Sequence, residues 1–181
     1  MNALPEFWAA LLGWLDLVAG RKDAARRFNL SGAGLANATG SYYAIVLLSL
    51  VAAALAGQNP GLVGGLVSLL LNALPLVTVW LVIGLTALVL KPQHGALGLL
   101  VPATYAMGLV LVVRVPLQLL APDLFSNALL GALSFMLYRG ARGIGGLGIG
   151  SALAFAALCA VALVLAQLAL YMLATGGAGI G

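Results

Sequence analysis

Apolar runs long enough to cross a bilayer alternate with three short basic segments in this chain, and few architectures accept that alternation. Seven of the eight Lys and Arg residues fall in those segments: Arg21, Lys22, Arg26 and Arg27; then Lys91; then Arg139 and Arg142. Loops that stay in the cytoplasm carry an excess of Lys and Arg, so the pattern predicts an orientation as well as a class. Charged residues are 7% of the chain against about 25% in ordinary globular domains, too few to build a water-exposed surface. The expected fold is therefore all-α: a polytopic transmembrane helix bundle of five spans with an N-terminal interfacial amphipathic helix. The expected site is the inner membrane of a bacterial cell, with the N-terminus cytoplasmic and the C-terminus outside.

The divisions follow composition. Residues 1–28 form the amphipathic helix and basic cluster, 29–40 a Gly, Ala, Ser and Asn-rich linker, 41–175 the membrane domain, and 176–181 a tail. On a helical wheel Leu4, Phe7, Trp8, Leu11, Leu12, Leu15 and Val18 share one face, and Glu6, Gly13, Asp16 and Gly20 share the other. This stretch is short for a span of about 20 residues and carries two acids, so it is expected in the plane of the inner leaflet, with Trp8 and Trp14 among the headgroups. A sixth, N-terminal span is the alternative. A cleaved signal is not expected, because the positive cluster follows the apolar stretch instead of preceding it. Arg21, Lys22, Arg26 and Arg27 are expected to contact anionic headgroups, at about 1 kcal/mol for each charge near the surface.

Five apolar runs follow, at about 42–57, 62–90, 96–120, 124–138 and 151–174. The second is too long for a hydrocarbon layer of about 30 Å, so it must tilt or break, and Pro75 marks the expected break. In the third run, a full helix to about Val113 and an irregular end around Pro116 are expected. Small residues recur four apart at Ala52 and Ala56, Gly61 and Gly65, Ala128 and Ala132, and Ala152, Ala156 and Ala160. Such faces let helices approach closely in lipid. The last helix is accordingly expected to be a central packing element.

Polar groups inside a membrane are costly, which makes them the default functional candidates. Asn72, Arg114, Gln118, Asn127 and Gln167 come from four runs yet fall at one depth, in the outer half. They are expected to form one polar cluster around Arg114, with Asp123 as counter-charge. The competing reading is structural: Arg114 snorkels to the headgroups and the amides act as helix glue.

Several chemistries lack their residues. One His, one Cys and four acids spread along the chain give no converging metal set, so neither metal nor cofactor is expected. His94 and Asp123 fall at opposite faces, which excludes a Ser-His-Asp arrangement. Gly143, Gly145 and Gly148 match G-x-G-x-x-G, but the loop has no preceding strand and no acid downstream, so it reads as a flexible cytoplasmic turn. Nucleic acid is not an expected partner, because no basic surface with aromatic readers lies outside the membrane.

From about Leu4 to Ala174, an amphipathic N-terminus followed by five close-packed spans resembles the Yip1-like family of small membrane proteins. The resemblance lies in layout and size. The acidic, Tyr-containing motif of eukaryotic members is absent before the first span, with only a faint echo at Pro122, Asp123, Leu124 and Phe125, so it implies no functional residue here. The leading expectation is a non-catalytic scaffold, assembly factor or accessory subunit, partnered by a second copy or another membrane protein and by anionic lipid. A small transporter or channel for an anionic solute, using the polar cluster, is the alternative.

Overall fold

Lipid offers no hydrogen bonds, so a spanning chain must satisfy its backbone internally, and helices do so within one segment. The computed structural model describes residues 3–55, 57, 61–120 and 125–176, and over these the chain is helical with no strand. The order is α1 (Ala3–Val18), a short 3-10 helix (Lys22–Arg27), α2 (Gly32–Leu55), α3 (Gly61–Leu90), α4 (Leu97–Leu120), α5 (Phe125–Gly143) and α6 (Ile149–Gly176). Four of these are long and apolar enough to cross a membrane: α2, α3, α4 over Leu97–Arg114, and α6 over Ile149–Met172. The fifth expected span falls short of that standard. In its 19 residues α5 carries Ser126, Asn127, Ser134, Arg139 and Arg142, which dilute its apolar stretch.

The long helices pack in the order α2, α4, α5, α6, α3, with α3 returning to touch α2 and α4. At the centre stands α4, not α6 as expected. Every residue from Gly98 to Gly108 is buried except the half-buried Leu100. The cause is side-chain size: Gly98, Ala103, Thr104, Ala106 and Gly108 let neighbouring backbones come close where hydrophobic exclusion cannot drive association. At Gly108 an added Cβ would meet Ile45 Cδ1 of α2 at 3.3 Å. The small-residue face of α6 is used within the bundle, with Ala152, Ala156 and Cys159 buried.

Two prolines expected to break helices do not. α3 continues through Pro75 and α4 through Pro116. Thirty residues at 1.5 Å each make α3 about 45 Å long, well over a layer of about 30 Å, with no break in its helix. Nor are residues 29–40 a linker. Ser31 caps α2, its Oγ accepting from the Gly34 amide at 3.2 Å, and the helix runs from Gly32 without interruption. Glycine is needed at 34 because a Cβ there would collide with the Asn29 carbonyl.

The amphipathic helix docks on the bundle by the face that looked polar. Ala10, Gly13, Trp14, Asp16 and Leu17 are buried, while Leu4, Trp8, Leu15 and Val18 remain exposed. Trp14 is thus packed among Leu99, Leu137 and Phe155, not placed among headgroups. Its ring stands edge-on to Phe28 at 6.0 Å. Gly20, at φ 78°, ends α1: its amide donates to Leu17 C=O, and the Arg21 amide donates to Asp16 C=O at 2.9 Å. Arg139 of α5 donates to the same Leu17 carbonyl, setting a cation on the negative end of α1.

Charges expected to face lipid are partly engaged with acids. Asp16 accepts from Arg21 at 2.8 Å and from Arg27 at 2.5 Å, and Arg26 lies 3.6 Å from Asp23. Arg21 and Arg26 keep most of their surface exposed. The 143–148 segment is tied down, contrary to the flexible turn expected. Ile144 C=O faces His94 Nδ1 at 3.0 Å, the Gln93 amide donates to Gly145 C=O, and the Leu147 amide donates to Ala141 C=O. Gly146, at φ 65°, lies directly against the Gln93 side chain.

Two outcomes test this packing. Gly34→Ala should destabilise the protein by roughly 1–3 kcal/mol through overpacking, whereas Gly40→Ala, with open space around it, should stabilise by up to about 1 kcal/mol, both read by thermal unfolding in detergent. The hydrogen bond and charge of Arg27 hold the Asp16 carboxyl below its ordinary value of 3.8. A depressed carboxyl stabilises the fold above that value and ceases to do so as pH falls below it. Trp14 fluorescence should therefore stay constant between about pH 5 and 8 and change only under more acidic conditions. Asp16→Asn should expose residues 21–27 to trypsin at neutral pH.

Candidate functional site

The basic segments gather at one end of the bundle, where α3 and α5 end and α4 and α6 begin. At 1.5 Å per residue, Arg114 lies about 26 Å along α4 from Leu97, Gln167 about 27 Å along α6 from Ile149, and Asn72 about 27 Å along α3 from Leu90. Asn127 is about 24 Å along α5 from Gly143. Four helices of different length and direction thus place a polar side chain at nearly one level. That level is close to the full depth of a hydrocarbon layer of about 30 Å, measured from the basic end.

These four side chains line one cavity of about 570 Å³. This volume falls within the range of about 300–1,000 Å³ typical of small-ligand sites. All five long helices contribute: Tyr42 from α2; Asn72 and Pro75 from α3; Met107, Val110, Leu111 and Arg114 from α4; Asn127, Leu130 and Leu133 from α5; Leu163, Val164 and Gln167 from α6. Arg114, Asn127 and Gln167 are exposed, and Tyr42, Met107, Leu133 and Leu163 are buried. The cavity therefore has a polar rim and an apolar floor.

Each wall is fixed locally. On α3 the Asn72 amide donates to Ser68 C=O at 2.8 Å, and the Asn72 carbonyl accepts from the Tyr42 hydroxyl at 2.8 Å. Tyr42, 2% exposed, thus pins α2 to α3 beside the cavity. Lower in the bundle, Trp80 Nε1 donates to Thr104 Oγ1 at 3.0 Å and joins α3 to α4, while Thr104 Oγ1 donates to Leu100 C=O.

Of the six residues expected to cluster, Asn72, Arg114, Asn127 and Gln167 line the cavity. Gln118 is placed only as a position in the final turn of α4, and Asp123 lies outside the described residues. Tyr42, Pro75 and Met107 were not anticipated as lining. The sequence does not single out Tyr42, because Asn37, Thr39, Ser41 and Tyr43 of the same helix are polar as well. Among the described residues no group of three His, Cys, Asp or Glu side chains could hold a metal.

A second polar group sits toward the basic end. Glu6 of α1 accepts from Asn37 Nδ2 at 2.8 Å and from Asn29 Nδ2 at 3.2 Å. Phe7 beside it packs on the Tyr105 ring at 6.3 Å. The buried Asn37 thereby docks α1 on α2.

Tyr42→Phe should lower stability by about 0.5–1.5 kcal/mol in thermal unfolding, the usual net worth of one hydrogen bond, since it frees the Asn72 carbonyl from its partner. Comparison with known proteins gives no match, whether to a protein family, to a curated protein or to a solved structure.

Proposed function

We propose that this chain is a small integral membrane carrier that takes an anionic solute into the cavity at its Arg114 end. The observation that carries this reading is the convergence of Arg114 with the amides of Asn72, Asn127 and Gln167 on a cavity to which five helices contribute. A guanidinium presents five donors in a fixed fork and keeps its charge at any biological pH. Amides add neutral donors that orient an anion. In a surrounding of low dielectric each such interaction is stronger than in water.

The reading is non-catalytic. Acid-base chemistry needs a titrating group within reach of the reacting atoms. Glu6 and Asp16 are engaged at the α1 docking surface, and His94 with the Ile144 carbonyl, all toward the basic end. In the proposed orientation that end is cytoplasmic, following the distribution of Lys and Arg, and α5 completes five spans in an inner membrane. The Yip1-like layout fits this arrangement.

The second reading, a scaffold or accessory subunit, draws on one observation. Ala128 and Ala132 on α5 are exposed at a spacing that suits a partner helix, whereas the matching face of α6 is already used inside the bundle.

Purified protein reconstituted into liposomes, with radiolabelled inorganic phosphate and a panel of small carboxylates, should show uptake that Arg114→Gln reduces at least tenfold with an unchanged melting temperature. Uptake equal to empty liposomes, together with a stoichiometric membrane-protein partner in affinity purification, would replace the carrier by the scaffold.

A further inference from the structure

The polarity of the cavity changes along its depth, and that gradient says what kind of anion fits. Arg114, Asn127 and Gln167 are exposed at the rim, while Met107, Leu133 and Leu163 are buried at the floor. The rim lies about 24–27 Å along the helices from the basic end, at the level where hydrocarbon gives way to headgroups. The floor lies deeper, within the hydrocarbon. A small hydrated anion could use the rim alone, because an apolar floor offers nothing to repay its lost hydration. A molecule with an anionic head and a hydrocarbon tail uses both.

One wall also faces the bilayer. In α3 the buried residues begin at Leu76, and the exposed Leu62, Val63, Leu66, Val67, Leu70 and Leu71 precede them, so only Asn72 and Pro75 of that half reach the cavity. Past Pro75, α3 is packed into the bundle by Leu76, Val79 and Ile83. Along the first half of α3 the packing is sparse: Leu69 is half-buried against the core, and the exposed leucines and valines of that half are left to meet a tail from the surrounding leaflet.

Resting on the anion-carrier reading, we infer that the ligand is an anionic amphiphile of the membrane, its phosphate or carboxylate held at Arg114, Asn127 and Gln167 and its acyl chain laid on Met107, Leu133 and Leu163. The same head chemistry occurs in free phosphate, and chain length separates the two sources. Each methylene that moves from water onto the floor should tighten binding by about fourfold until the cavity is full.

The test is calorimetric titration of the full-length protein in a non-ionic detergent with inorganic phosphate and with butyl, hexyl and octyl phosphate, octanol serving as the uncharged control. Affinity is expected to rise steadily from butyl to octyl phosphate, with inorganic phosphate and octanol each at least tenfold weaker than octyl phosphate. Leu133→Trp, which fills the floor, should flatten the chain-length series and leave inorganic phosphate binding as it was. Arg114→Gln should weaken every phosphate, and Gln167→Leu, at an exposed position, should do so more mildly while leaving the fold intact. Equal affinity for inorganic and octyl phosphate, insensitive to Leu133→Trp, would overturn the amphiphile and leave the anion carrier standing. Failure of all phosphates to bind folded protein, or octanol binding as tightly as octyl phosphate, would overturn both.

Discussion

A protein whose exterior is as apolar as its interior cannot use burial to decide which face turns inward, and the fold of this chain depends on what replaces that force. Two things replace it: close approach at small residues and a few polar pins. Gly98, Ala103, Ala106 and Gly108 make α4 narrow enough for its neighbours to close around it. The pins are few. Tyr42 joins α2 to α3, Trp80 joins α3 to α4, and Arg139 joins α5 to α1. Tyr42 and Trp80, in hydrocarbon, have no water to fall back on, so each of their bonds also specifies which helix its partner must be.

The same reasoning explains which parts of the architecture could be read in the sequence. The apolar runs, their approximate ends and the clustering of Lys and Arg are properties of one segment at a time, and composition reports them directly. What escaped reading depends on a second segment. Residues 29–40 look like a linker because Gly, Ser and Asn are poor helix formers, yet Gly34, Asn37 and Ala38 are buried, Gly34 against the Asn29 carbonyl and Asn37 bonded to Glu6 of α1, and tertiary contact makes helix the favourable state. Pro75 and Pro116 look like breaks because proline removes an amide, yet both helices run on through them. The centrality of α4 was hidden for a related reason. Its small residues fall on several faces, whereas the Ala152, Ala156 and Ala160 stripe of α6 lies on one and draws the eye.

The candidate site was more legible than the packing around it. Depth along a spanning helix is close to a linear function of residue number, so Asn72, Arg114, Asn127 and Gln167 could be set at one level from the sequence alone. Level does not fix azimuth. Whether those side chains turn toward a common centre depends on the order α2, α4, α5, α6, α3, which no single helix records. The apolar half of the cavity was invisible for another reason: Met107, Leu133 and Leu163 are indistinguishable in sequence from residues that face lipid.

The amphipathic helix gives the clearest case of a face whose meaning reverses in a membrane. In water the polar side of such a helix would turn outward and its apolar side to the core. Here the side bearing Glu6, Gly13 and Asp16 meets the protein, because the protein offers Asn29, Asn37, Arg21 and Arg27 to satisfy it, and Leu4, Trp8, Leu15 and Val18 are left for the bilayer. Polar contacts thereby attach α1 to the bundle through groups that lipid could not satisfy. Its buried Trp14 ring lies close against Gly140 of α5 at the basic end. With tied loops at the basic end, and the cavity with Arg114, Asn127 and Gln167 toward the other, the molecule is built asymmetrically along its long axis.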